Sequence, residues 1–300
     1  MYVITGATGN TGKAAAERLL AQKQKVRVIG RSADRLQPLV AQGAEPFLTE
    51  ITDVAALTQA FTGATGVYVM VPPDLASQDF HAQQNRVGDA LTQALKQAGV
   101  KYAVLLSSIG ADKTDRTGPV VGLHEFEEKL NQIDGLNVVH LRAGYFMTNT
   151  MGQAGIIRAF GKAAGPVNAG VKLPLIAPAD IGVAAADLLL KKNFSGKQTR
   201  ELLGHRDVDY NEITAIIGKA INKADLEYVR LPDEQVRPVL LQLGMSGNVA
   251  DLLLELSTGL NSGHIRALEP RSAQNTTPTS FETFVANEFL PLYQGKSKAA

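Results

Sequence analysis

Met1-Tyr-Val-Ile-Thr-Gly6-Ala-Thr-Gly9-Asn-Thr-Gly12 reads as a short apolar strand, Tyr2–Thr5, delivered into a glycine-rich turn and then into a helix over Thr11–Lys23. The run Ala14-Ala15-Ala16-Glu17-Arg18-Leu19-Leu20 strongly favours helix, so the three glycines stand between a strand and a helix, the setting in which their spacing carries meaning. Gly6 lets the chain turn tightly out of the strand, Gly9 keeps a Cβ away from a pyrophosphate, and Gly12 lets the helix lie close on the sheet. The first N–H groups of the helix have no partner within it, and its dipole favours an anion there. Gly6, Thr8, Gly9, Asn10, Thr11 and Gly12 are therefore the candidate residues for the phosphates of a dinucleotide.

The end of the second strand, Lys25–Ile29, points to the kind of dinucleotide. Sites specific for NAD place an acidic residue about 20 residues beyond the glycines to bind the ribose hydroxyls. Gly30 occupies that neighbourhood, followed by Arg31, Ser32 and, a little further on, Arg35. Guanidinium groups beside a hydroxyl suit a 2′-phosphate, which favours NADP(H). A second reading of the same residues is a pair of solvated charges flanking a helix start that Ser32 or Asp34 caps.

Composition narrows the classes of function. The chain has 300 residues, a formal net charge of +1, 45% hydrophobic residues and no Cys or Trp. That length allows one large domain, or a large domain with an added lobe. Without Cys there is neither a disulfide framework nor a thiolate metal site, and no metal site is expected. A first strand at Tyr2 leaves no room for a signal peptide, and no uncharged apolar run reaches membrane-spanning length, so a cytoplasmic protein without a membrane partner is expected. Near-neutral charge without a long basic run argues against nucleic acid. The expected partner is a small-molecule acceptor, and the expected assembly is a monomer or homodimer.

Strand and helix signals alternate through the first half. Strands are predicted at Ala44–Leu48, Gly66–Val71, Lys101–Leu106 and Leu136–Leu141, and helices at Val54–Phe61, about Ala76–Ala98 and Leu123–Gln132. Apolar strands separated by amphipathic helices imply an α/β fold, a doubly wound parallel sheet whose ligands lie at the carboxyl ends of the strands. Residues at those ends join the candidate set: Glu50 and Ile51 near an adenine, Met70, Val71 and Pro72 along the cofactor, Ser107 and Ser108 at the fifth strand, and Gly144 and Tyr145 beyond the sixth. Each has an ordinary counterpart: Glu50 as a solvated acid, the serines as turn formers, Tyr145 as packing beneath a lobe. Residues 1–150 read as the NADP(H)-binding Rossmann domain, with later segments returning to it, and residues 151–300 mainly as a smaller lobe over the substrate cleft. Within the lobe, Gly152–Pro178 reads as an irregular excursion, helices are predicted at Ala179–Lys191, Asn211–Asn222, Pro232–Leu243 and Asn248–Thr258, and a strand at Leu226–Arg230. A last helix at Phe281–Leu290 precedes a polar end, Gly295-Lys-Ser-Lys298, that is expected to fray.

Thr5-Gly6-Ala7-Thr8-Gly9, Arg31 after the second strand, Leu105-Leu106-Ser107-Ser108, His124 and Glu128 in the next helix, Leu141-Arg142-Ala143-Gly144-Tyr145-Phe146 and Thr276-Thr277-Pro278 together resemble the NmrA-like group of atypical short-chain dehydrogenases. Within that group the likeness is to bacterial NADPH-dependent quinone oxidoreductases and triphenylmethane reductases. The resemblance implies a Rossmann sheet with a smaller carboxyl-terminal lobe, and an NADPH-dependent reductase of quinones or similar conjugated molecules. Non-catalytic NADP(H)-binding redox sensors in the group supply the alternative. Ordinary short-chain dehydrogenases carry a Tyr four residues before a Lys; here Val120 and His124 stand at those positions, so the usual proton donor is missing. By the resemblance His124 replaces the Lys at the nicotinamide ribose, with Ser108 and Tyr145 as further catalytic candidates; otherwise His124 caps its helix or is simply half-exposed.

Overall fold

Residues 1–296 are described by a computed structural model. The first half alternates strand and helix: β1 (Tyr2–Ile4), α1 (Asn10–Ala21), β2 (Val26–Gly30), α2 (Ala33–Val40), β3 (Glu45–Leu48), α3 (Val54–Phe61), β4 (Gly66–Val69), α4 (Phe80–Gln97), β5 (Tyr102–Ser108), α5 (Val121–Asn131) and β6 (Asn137–Ala143). The rest contains β7 (Tyr145–Phe146), α6 (Gln153–Phe160), β8 (Ala163–Gly165), β9 (Leu173–Ile176), α7 (Pro178–Lys191), β10 (Lys197–Leu202), β11 (Asp207–Val208), α8 (Tyr210–Ala220), β12 (Tyr228–Arg230), α9 (Asp233–Gln242) and α10 (Gly247–Asn261). It closes with α11 (Phe281–Phe284), a π-helical turn over Val285–Phe289, and α12 (Leu290–Tyr293).

Seven strands pair in parallel in the order β3-β2-β1-β4-β5-β6-β10. The chain leaves β3 at one edge and re-enters on the far side of β1, so the topological switch point falls between β1 and β4. One sheet face buries Ile4, Val28, Tyr68, Val104 and Leu141 under α1 and α7. The other buries Val3, Val67, Ala103, Leu105 and Val138 under α3, α4 and α5. Strands covered on both sides must be apolar throughout, which is why β4 is buried at every position. α7 crosses α1 closely because Gly182 leaves room; a Cβ there would stand 2.2 Å from the Thr11 carbonyl oxygen.

Three segments differ from the reading of the sequence. β10 was not foreseen as a strand, because it lies at the sheet edge and carries Lys197, Gln198, Thr199, Arg200 and Glu201 in place of an apolar run. Gly152–Pro178 is not an irregular excursion: it forms α6, β8 and β9, and Ala154, Ile157, Ala163, Val167, Leu173 and Leu175 join the core of the lobe. Its glycines mark the joints, with Gly161 closing α6 at φ +71°. α4 begins at Phe80 and not at Ala76, because Asp79 caps it by accepting from the Ala82 N–H at 2.9 Å. The expected fraying of the tail from Ser297 onward lies outside the described residues. Among the described residues, no helix is long and apolar enough to cross a membrane, and no group of three or more His, Asp or Glu could hold a metal ion.

Beyond β6 the chain builds the second core. β7, β9 and β11 form one small sheet and β8 pairs with β12. Tyr210, Ile213, Ile217, Phe281, Phe284 and Phe289 pack behind them. α7 and β10 belong spatially to the large sheet, so the chain leaves the Rossmann layers at Gly144 and returns at Pro178.

Candidate functional site

The β1–α1 turn has the shape its glycines suggest. Gly6 sits at φ +60°, a conformation that costs other residues strain. The Gly9 N–H closes the turn on the Gly6 carbonyl at 2.9 Å. A Cβ on Gly12 would lie 2.3 Å from the same carbonyl oxygen, so only glycine lets α1 start this close to β1. No side chain caps α1, and Gly9 and Asn10 are exposed, with Thr8 half-buried beside them. An uncapped amino terminus of a 12-residue helix, opening through exposed backbone, fits a pyrophosphate. Thr11 contributes differently from its neighbours: its hydroxyl is buried and accepts from Tyr68 Oη at 2.9 Å, leaving only its backbone at the opening.

At the end of β2, Arg31 is exposed and makes no hydrogen bond or ion pair with any described residue. Ser32 caps α2, its Oγ accepting from the Arg35 N–H at 3.4 Å, so the cap reading holds for that oxygen while the hydroxyl proton stays available. The Arg35 side chain is exposed and likewise unpaired among the described residues. Beyond β3, Glu50 is exposed, and Ile51 packs half-buried on the core beneath α3 and α4.

Across the switch point, Met70 lies against the turn: a Cβ on Gly6 would meet its Sδ at 2.5 Å. Its N–H donates to Thr5 Oγ1 at 3.2 Å, and Thr5 Oγ1 donates to the Tyr68 carbonyl at 3.2 Å, tying the ends of β1 and β4 together. Val71 and Pro72 follow, half-buried, as the chain leaves the sheet.

The ends of β5 and β6 are arranged otherwise. Alternation along β5 sends Ser107 toward α5, where its buried hydroxyl donates to Glu127 Oε1 at 2.5 Å; that hydroxyl is committed to the protein. Ser108, one residue on, is half-buried and donates to the Ile109 carbonyl at 2.9 Å. His124 lies half-exposed on α5 with Nδ1 2.9 Å from the Ala111 carbonyl. Gly144 is enclosed: a Cβ there would stand 2.2 Å from the Pro174 carbonyl oxygen, so the glycine serves the close passage of β9. Tyr145 packs on the lobe core, its hydroxyl 3.3 Å from that of the buried Tyr210, whose ring stacks on Tyr228 at 4.5 Å. Burial raises the Tyr145 hydroxyl above the usual tyrosine range, the contact with Tyr210 opposing this only in part. Phe146 points the opposite way and packs on the same core as Met70.

Sequence reasoning thus brought the turn, Arg31, Met70, Ser108 and His124 to one edge of the sheet. It grouped Phe146 with Tyr145 on one side of the cleft, and it missed the roles of Glu127 and Arg142. The alternation of β7 would have separated the two aromatics, and a Glu three residues after His124 faces the same side of α5.

The sequence model of the NmrA-like family matches residues 2–285. The chain is 28% identical over 268 residues to quinone oxidoreductase 2 of Escherichia coli, covering 88% of this chain and 89% of that one. It is 27% identical over 260 residues to an NAD(P)H azoreductase of Xenophilus azovorans, covering 85% and 86%. Among solved structures, the Escherichia coli NADPH-dependent quinone oxidoreductase complexed with NADPH superposes with a TM-score of 0.74 at 24% identity over 100% of this chain and 96% of that one. The Citrobacter sp. triphenylmethane reductase complexed with NADP(H) gives 0.76 at 16% identity over 99% and 100%. The superpositions speak to the fold.

Proposed function

The chain belongs to the NmrA-like family, and from that premise we propose that it is an NADPH-dependent reductase of quinones or similar conjugated, redox-active small molecules. The observation that carries this reading is the pairing of an uncapped α1 amino terminus with an unpaired Arg31 one strand away, on the edge that also carries Met70 and Phe146. The likeness along most of the chain to a quinone oxidoreductase and an azoreductase, both named for conjugated acceptors, supports the same reading.

In this reading the N–H groups at the start of α1 hold the pyrophosphate, and Arg31 with the Ser32 hydroxyl holds the 2′-phosphate. His124 and Ser108 face the nicotinamide ribose. Met70, Pro72 and Phe146 give a flat acceptor an apolar surface. NADPH, when bound, supplies a hydride from nicotinamide C4. A reduced quinone spreads its charge over two oxygens and takes its proton from water, so the absence of a tyrosine at Val120 does not stop the reaction. The same absence favours a second reading, a non-catalytic NADP(H)-binding regulator that responds to redox state through a protein contact.

A scan of NADPH oxidation against quinones, azo dyes and triphenylmethane dyes decides between them. A reductase accelerates oxidation with at least one acceptor and prefers NADPH to NADH. Tight NADPH binding with no acceleration by any acceptor removes the reductase reading and leaves the regulator.

A further inference from the structure

Glu127 is only 3% exposed, and both of its carboxylate oxygens have donors. It accepts from Ser107 Oγ on β5 at 2.5 Å, and from Arg142 Nε and Nη2 on β6 at 3.0 and 2.6 Å. The Arg142 side chain is itself largely enclosed, and its Nη2 reaches past Glu127 to donate to the Ala111 carbonyl at 3.2 Å. His124 Nδ1 meets that same carbonyl at 2.9 Å. A carbonyl oxygen has two lone pairs and no proton, so both of its partners donate. Nδ1 therefore carries the imidazole proton, and a neutral His124 offers Nε2 as a bare lone pair. No described residue is bonded to Nε2.

Stability alone gives little reason for this arrangement, since a buried ion pair replaced by apolar residues of similar volume is often neutral or better. Its geometry has a consequence instead. Ser107 and Arg142 clamp α5 at Glu127 to both β5 and β6, and one helical turn back His124 shares the face of Glu127. Arg142 holds the carbonyl that orients the ring. We infer that the Glu127–Arg142 pair is a positioning device that fixes His124 in the Nδ1–H tautomer, so that Nε2 accepts a hydrogen bond from a hydroxyl of the nicotinamide ribose. The identity of the hydroxyl rests on the proposed function; the tautomer does not. In this role His124 accepts a hydrogen bond from the hydroxyl, whereas the ammonium of the lysine whose position it takes can only donate one.

The test has two parts. Histidine-labelled full-length chain without nucleotide is examined by long-range ¹H–¹⁵N correlation, with H124N assigning the signal. A single species is expected, with Nδ1 protonated and Nε2 of the unprotonated type. The double variant E127Q/R142M then removes both charges while keeping the volume, and its melting temperature is expected within a few degrees of the parent. In it His124 should divide between both tautomers, and the Kd for NADPH should rise about tenfold, the scale of one lost hydrogen bond. The Kd for adenosine 2′,5′-bisphosphate, which lacks the nicotinamide ribose, should stay unchanged. If the double variant does not fold, R142K, which keeps the charge but not the forked donors, should give the same divided tautomer. A parent His124 protonated on Nε2, a folded variant with unaltered tautomer and NADPH affinity, or equal losses for NADPH and the bisphosphate would each overturn the proposal. Failure of every acceptor in the oxidation scan would remove the reductase reading while leaving the tautomer result intact.

Discussion

The two halves of the sheet's carboxyl edge are built on opposite terms. At the ends of β1 and β2 the polar groups are left open: α1 has no side-chain cap, and neither Arg31 nor Arg35 has a side-chain partner among the described residues. At the ends of β5 and β6 the polar groups are closed on one another, Ser107 and Arg142 on Glu127, Arg142 and His124 on Ala111, Tyr145 on Tyr210. The first half is arranged to receive charge from outside. The second closes its polar groups on one another and keeps few polar atoms free, which under the proposed function suits a flat conjugated molecule that lies without being anchored.

The largest test of that contrast removes a member of the closed half. Glu127→Ala leaves the Arg142 guanidinium buried without its carboxylate, and breaking such a pair costs about 3–5 kcal/mol. Urea unfolding is expected to show a loss of that size, with the slope unchanged. A loss below about 1 kcal/mol would mean that the pair is exposed to water in solution.

In the open half, Gly12→Ala puts a Cβ 2.3 Å from the Gly6 carbonyl, and backbone cannot yield as a side-chain tip can. A destabilisation of about 1–3 kcal/mol is expected, together with loss of measurable NADPH binding by calorimetry. Unchanged binding would show that α1 need not sit at this distance.

Arg31→Ala follows in size. Loss of a charge-assisted bond to a phosphate costs about 1.5–3 kcal/mol, a weakening of about 10- to 150-fold for NADPH with NADH nearly unaffected. Equal losses for the two would remove the 2′-phosphate from Arg31 and break the contrast where it is most specific.

The same contrast explains how much of the fold and of the candidate site is legible in the amino-acid sequence. The open half is written locally: Gly6, Gly9, Gly12 and Arg31 carry their meaning in spacing and in what they lack. The closed half is written across distance. Nothing near Ser107 announces Glu127 twenty residues later, nor does Arg142 announce Ala111; the register of β5 against β6 sets Ser107 opposite Arg142, and the packing of α5 on both strands brings Glu127 to them. β10 was hidden because an edge strand need not be apolar, and α6 because glycines at its joints resemble glycines in a loop.

A smaller effect concerns pH. His140 on β6 is 2% exposed, its Nε2 is 2.8 Å from Asn131 Oδ1, and its Nδ1 has no partner. Burial first of all, with Arg142 and Lys197 adding to it, pushes its pKa below the usual 6.5, while Glu127 and Glu128 oppose. The unfolded chain then takes up this proton more readily than the folded one. Stability from this group is complete above the unfolded value and falls as pH drops through about 6.5, by at most about 1.4 kcal/mol per pH unit. His140→Gln should flatten the decline between pH 7 and 5 in urea titrations. An identical decline in the variant would place its origin elsewhere.

The smallest expected effect sharpens the division between the two aromatics of β7. Tyr145 faces the lobe and pairs its hydroxyl with that of Tyr210, whereas Phe146 packs with Met70 toward the large sheet. Tyr145→Phe keeps the ring and loses one partly buried hydrogen bond, so about 0.5–1.5 kcal/mol of stability should go. Turnover with a quinone should stay within about twofold of the parent, because the lost group is aimed away from the side of the strand proposed for the acceptor. Phe146→Ala supplies the control: it opens the surface proposed for the acceptor, so the KM for quinone should rise severalfold while NADPH affinity holds. If Tyr145→Phe instead lowers kcat by tenfold or more at unchanged stability, its hydroxyl takes part in proton delivery. The strand would then have to turn its other face to the cleft during the reaction, and the closed half of the edge would not be closed.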